Sequence, residues 1–144
     1  MARDFKTLVR LNDWEVDQKR RLLAEQLRQL ENLKGLLQNL EEEVAREQAH
    51  AASMPTEGGL LYGAYAEQAI IRREDYQRRI DAQEHDVAAA REELRLAFLE
   101  FKKFEISEDR RVARAEAELA REEQLDLDEI GITGFNRKRR DNER

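Results

Sequence analysis

The sequence predicts an all-α fold: two long helices in an antiparallel coiled-coil hairpin, the second helix longer than the first and overhanging it. Three observations carry this. Apolar residues recur at every seventh position on both sides of residues 52–65, which is the spacing of a seam between helices. The only proline and three of the six glycines fall inside that one stretch, ASMPTEGGLLYGAY. With 40% of the 144 residues charged and only 6% aromatic, the chain is poorly equipped to fill a thick core, and a thin architecture fits better.

Helix one is predicted from about residue 4 to about residue 50. Val9, Val16, Leu23, Leu30, Leu37 and Val44 are each seven apart and form the a positions. The d positions are then Phe5, Asn12, Lys19, Gln26, Leu33 and Leu40, apolar only at the ends of the series. Where the d position is polar, Leu22, Leu27 and Leu36 are expected to widen the buried stripe. At 1.5 Å per residue the helix should be on the order of 70 Å long.

The turn is predicted at about residues 53–59. Proline removes an amide donor and restricts the residue before it, while paired glycines add chain entropy, so Pro55, Gly58 and Gly59 interrupt the helix and let the chain reverse.

Helix two is predicted from about residue 60 to about residue 130. Ala66, Arg73, Ile80, Val87, Leu94 and Phe101 occupy a, and Tyr62, Ala69, Tyr76, Gln83, Ala90, Ala97 and Phe104 occupy d. The spacing then shifts to Val112, Ala115 and Leu119, consistent with a four-residue stutter near residues 105–108. Gly131 is expected to end the helix, with Gly134 opposing its resumption. Residues 131–144, including Arg137, Lys138, Arg139 and Arg140, then read as a flexible basic tail. Beyond residue 106 the second helix has no counterpart in its own chain to cover its apolar stripe, so a partner or a second copy is implied.

Ala, Leu, Glu, Arg and Gln dominate both segments and lose little side-chain entropy in a helix. Glu15 with Lys19, Asp17 with Arg21, Glu42 with Arg46, Glu74 with Arg78 and Asp75 with Arg79 are acid-first i,i+4 pairs on solvated faces. The register places several apolar residues off the seam. Leu60, Leu61 and Ile71, with Tyr65 flanking, lie near the hairpin; Leu11, Trp14, Leu96 and Leu99 lie near the open end. Two sticky ends separated by a polar shaft form the pattern of an adaptor.

Several chemistries are not supported by the sequence. There is no cysteine, so disulfides, thiolate catalysis and cysteine zinc sites are out. His50 and His85 are the only histidines and lack further ligands at metal spacing, so no metal is expected. EGGLLYG has no following Lys-Ser or Lys-Thr and is not a phosphate loop. A two-helix rod offers no cleft to perturb a carboxylate, so no enzyme and no cofactor are expected. Nor is nucleic acid an expected partner: the formal net charge is −6, and four basic tail residues beside Asp141 and Glu143 supply only weak, salt-sensitive attraction. No apolar run approaches the roughly 20 residues that cross a bilayer, and the charged start is unlike a signal peptide.

RDFKTLVRLNDWEVDQKRR, residues 3–21, and GLLYGAYAEQAIIRRED, residues 59–75, resemble the FliJ family of flagellar export proteins, and the resemblance spans nearly the whole chain. It implies a soluble, non-catalytic component of the flagellar type III export apparatus, cytoplasmic and peripheral at the inner face of the membrane at the flagellar base. The implied partners are the export ATPase, the membrane export gate and export chaperones. The implied role is a coiled-coil stalk that joins the ATPase ring to the gate, with the end carrying the termini toward the ring. On this chain the ATPase end would involve Lys6, Arg10, Trp14, Arg110, Arg111 and Arg114. The gate end would involve Leu37, Leu40, Leu61, Tyr62, Tyr65 and Ala69. Two alternatives stay open: an escort that recycles export chaperones, and a generic scaffold or peripheral stalk, including a homodimer whose overhangs pair. A monomeric hairpin is the expected state.

Overall fold

A computed structural model describes residues 5–54 and 56–143, with backbone alone at 56–58. The predicted start at Asp4, the turn proline Pro55 and the last tail residue Arg144 lie outside the described residues. The fold is an all-α hairpin of α1, Lys6–Ala52, and α2, Thr56–Asn142. The chain divides into two compact units.

The first unit is Trp14–Phe98, which contains the reversal. Side-chain contacts across it pair Lys19 with Glu93, Gln26 with Gln83, and Glu43 with Arg72. As one residue number rises the other falls, so the helices are antiparallel. Leu30, Ile80 and Val87 are buried at its centre, with Leu23, Leu27, Leu33 and Leu37 packed against them. Every a and d position of α1 from Val16 to Val44 is buried or half-buried, as the heptad register requires. On α2 the exception is Arg73, which is exposed and reaches Glu41 at 3.5 Å. The register fails in one respect: Leu22 and Leu36 are exposed and do not widen the seam, whereas Leu27 does. Instead the polar d positions are served by polar partners. Gln83, 7% exposed, donates from Nε2 to the backbone oxygen of Gln26 at 2.9 Å and to its Oε1 at 2.6 Å. A buried amide without such acceptors would cost its full desolvation, so this pair favours one alignment over its neighbours. Lys19 bonds across the seam to Glu93 at 3.2 Å. The acid-first pairs Asp17–Arg21 and Asp75–Arg79 form, both at 3.0 Å.

The reversal uses fewer residues than predicted. The Ser53 and Met54 amides donate to the carbonyls three residues back, and the Ser53 hydroxyl donates to His50 O, tightening the last turn of α1. The backbone at Gly58 and Gly59 already belongs to α2. No described glycine adopts positive φ.

The second unit comprises the described parts of Met1–Asp13 and Leu99–Arg144. Phe5 rests on Phe104, with ring centroids 6.2 Å apart. Here α2 continues through Gly131 and Gly134 to Asn142, where the sequence predicted a helix end and a flexible tail. Two interior glycines cost about 1 kcal/mol each relative to alanine. They follow a long run rich in Ala, Glu, Arg and Leu, residues 108–129, and no proline stands after it. The Thr133 hydroxyl donates to Glu129 O. Arg139 and Arg140 lie in the last turn, where cations favour the negative end of the helix dipole.

Candidate interaction surfaces

In the unit that holds the start of α1, one carboxylate organises the site. The first amides of a helix have no intrahelical acceptor, and α1 carries no acidic residue in its first turn. Glu108 of α2 fills that role: its Oε2 accepts from Phe5 N at 3.0 Å. Arg111 holds the same carboxylate with a fork, Nε to Oε2 at 3.0 Å and Nη2 to Oε1 at 2.7 Å. Glu108 is 9% exposed. Burial opposes its charge, but the Arg111 fork, followed by the Phe5 amide and the charge of Lys6, holds its pKa down at about 2. The sequence placed Glu108 in a stutter and gave it no role. The signal was present: it sits seven residues after Phe101, at an a position, opposite a helix with no acidic residue in its first turn.

Beyond Arg111 every described residue of α2 is exposed. An open groove begins at Phe5 and runs past Arg110, Arg111, Arg114, Ala115 and Leu119, basic at one end and acidic at Glu118 and Glu122. Of the expected ATPase-end residues, Lys6, Arg10, Arg110 and Arg114 are exposed in this unit, and Arg111 is half-buried on Glu108. The groove brings the three arginines together. Trp14 is 56% exposed and belongs to the other unit. Leu11 and Leu99 are exposed in the one unit, and Trp14 and Leu96 in the other.

The turn half of the Trp14–Phe98 unit presents a second surface. Leu60 and Leu61 are 81% and 74% exposed, and Met54, Ile70 and Ile71 are also open to solvent. Ile70 was not singled out in the sequence. Tyr62 and Tyr65 are half-buried beside them, their ring centroids 6.3 Å apart. The Tyr65 hydroxyl is closed off from solvent and, among the described residues, makes no hydrogen bond of ordinary geometry, with Glu43 the nearby acceptor. Its pKa is raised, first by burial and then by the negative charges of Glu43 and Glu47. Of the expected gate-end residues, Leu61, Tyr62 and Tyr65 reach this surface. Leu40, at 2% exposed, and Ala69, at 6%, are committed to the seam, and Leu37 packs on the central cluster. Leu40 and Ala69 nevertheless floor a shallow groove with Val44, Tyr62, Ala66 and Ile70, because three alanines on its lining leave room above the seam.

Among the described residues no three acidic or imidazole side chains converge as a metal site. Among the described residues no helix is long and apolar enough to cross a membrane.

A model of the flagellar FliJ protein family matches residues 1–140. No curated protein and no solved structure is matched.

Proposed function

Because the chain belongs to the flagellar FliJ protein family, and so to the components of the flagellar export apparatus, we propose that it acts there as a non-catalytic coiled-coil stalk. On this reading, Lys6, Arg10, Arg110 and Arg114 and the α2 segment beyond Arg111 engage the export ATPase ring. Leu61, Tyr62 and Tyr65 engage the membrane export gate, and the chain sits at the inner face of the membrane through these partners. One observation carries the proposal: from Val112 onward α2 is a helix with apolar side chains and nothing from α1 over them. A helix in that state has a face reserved for another surface.

Arg111 serves this reading indirectly. Its guanidinium is tied to Glu108, so it holds the start of α1 in place rather than offering a free charge to the ring. Trp14 contributes a large exposed aromatic of the kind that anchors interfaces.

Two binding measurements test the proposal on separate surfaces. Arg110→Glu with Arg114→Glu should weaken binding to the cognate ATPase at least 10-fold and leave binding to the gate's soluble domain unchanged. Leu61→Asp with Tyr65→Asp should do the reverse. Loss of both interactions with either pair, at unchanged helicity, contradicts a stalk with two separate contacts.

A further inference from the structure

The turn end of the Trp14–Phe98 unit has a charge composition unlike the rest of the chain. Lysine and arginine make up 26 of the 144 residues, yet residues 47–71 contain neither, and their acidic residues are Glu47, Glu57 and Glu67. Of the arginines that flank this stretch, Arg72 reaches Glu43 at 3.3 Å and Arg73 reaches Glu41 at 3.5 Å, while Arg46 stands at an outward c position. Around the turn Leu60, Leu61, Ile70 and Ile71 are open to solvent. An end that is acidic and apolar together is complementary to a basic, apolar surface and repels an anionic one.

The seam also stops short of filling itself here. Continuing the heptads, Glu47 follows Leu40 at d and Ala51 follows Val44 at a, while Gly59 precedes Ala66 at a of α2. A carboxylate, a methyl group and bare backbone thus stand where the centre of the unit places Leu30, Ile80 and Val87, and a Cβ at Gly59 would meet nothing within 4 Å. The result is a cavity of about 200 Å³ walled by Met54, Leu61, Tyr62 and Tyr65, with Glu47 and His50 also on its lining. Small-molecule pockets run from about 300 to 1,000 Å³, so this volume suits a single side chain. Among the described residues Glu47 makes no ion pair. Its charge, together with that of Glu43, acts on the Tyr65 hydroxyl, whose oxygen can accept as well as donate.

We propose that this cavity seats a lysine or arginine side chain of a partner protein, its cationic head at Glu47 and its methylene stem along Met54 and Leu61. The faces of Tyr62 and Tyr65, with ring centroids 6.3 Å apart, attract a cation. A long basic side chain covers apolar surface with its stem while keeping its head among polar groups, and a carboxylate gives that head a charge-assisted hydrogen bond. A purely apolar occupant would leave Glu47 desolvated and unpaired. The leucines and isoleucines around the mouth then rest on the apolar neighbours of that base. For the identity of the partner alone, the inference rests on the reading of this end as the gate contact.

The first test uses the chain without any partner. N-acetyl-lysine methylamide is titrated to about 100 mM at about pH 8, above the ordinary imidazole value, beside the norleucine analogue, which has the stem and no charge. Met54 is one of two methionines, so its methyl resonance is readily assigned. It and the Tyr62 and Tyr65 ring resonances should shift saturably with the lysine derivative and not with norleucine. Glu47→Gln should remove the shifts and Glu67→Gln, off the cavity lining, should keep them; both positions are exposed, so helicity should not change. In the second test Glu47→Gln should weaken binding to the gate's soluble domain at least about 5-fold and flatten its dependence on salt. Equal shifts with norleucine, or none with the lysine derivative, overturn the proposal. Native gate binding that Glu47→Gln leaves intact also overturns it, with the stalk reading still standing. Lysine-specific shifts without gate binding sustain the cavity's role and remove the gate as its partner.

Discussion

At the scale of single residues the structure turns on Glu108. Its carboxylate closes the amide end of α1 and is itself fixed by Arg111. The folded pKa, about 2, lies below the ordinary carboxylate value near 4.3. A depressed folded pKa gives a contribution that is complete above the unfolded value and lost as pH falls through the folded one. Thermal melts should therefore lose stability between about pH 4.3 and pH 2 in a way that Glu108→Gln does not. At pH 7 Glu108→Gln should melt lower than the native chain, and Glu116→Gln, which touches no cap, should not. A pH profile identical for Glu108→Gln and native chain would remove the cap from the account.

At the scale of elements the seam was readable from spacing alone. A seven-residue apolar period constrains which side of a helix is buried, and Val16, Leu30, Leu40, Ile80 and Val87 all lie where that period places them. Leu30→Ala should cost about 2 kcal/mol or more in denaturant melts, whereas Leu36→Ala, on an exposed side chain, should cost under about 1 kcal/mol. What spacing could not supply were features set by contact or by competition. The role of Glu108 depends on a helix start more than a hundred residues away. The end of α2 depended on whether two glycines outweigh a long run of strong helix formers, and punctuation alone pointed the wrong way. The apolar residues near the turn were legible as off-seam, but Leu37, Leu40 and Ala69 could not serve seam and surface equally, and burial assigns them first to the seam. Truncation makes the same distinction measurable. Removing everything after Arg111 should leave the melting temperature of the hairpin unchanged, because the residues lost are exposed. Removing everything after Ile106 should lower it, because Glu108 and Arg111 go too.

At the scale of the whole molecule, the family match and the uncovered length of α2 point to a protein whose work is done by its surfaces. On the proposed reading, the open groove along Arg110 and Arg114 serves the ATPase and the apolar turn at Leu60 and Leu61 serves the gate. In the proposed function, α2 beyond the Glu108 cap acts on the export ATPase. The most direct test is the turnover of the cognate flagellar export ATPase, measured across protein concentration with the full chain and with the chain ended after Arg111, which keeps the cap. The full chain should promote hexamer formation and raise turnover, and the truncated chain should do neither while remaining folded. Equal stimulation by both, or no effect of the full chain at saturation, would contradict it.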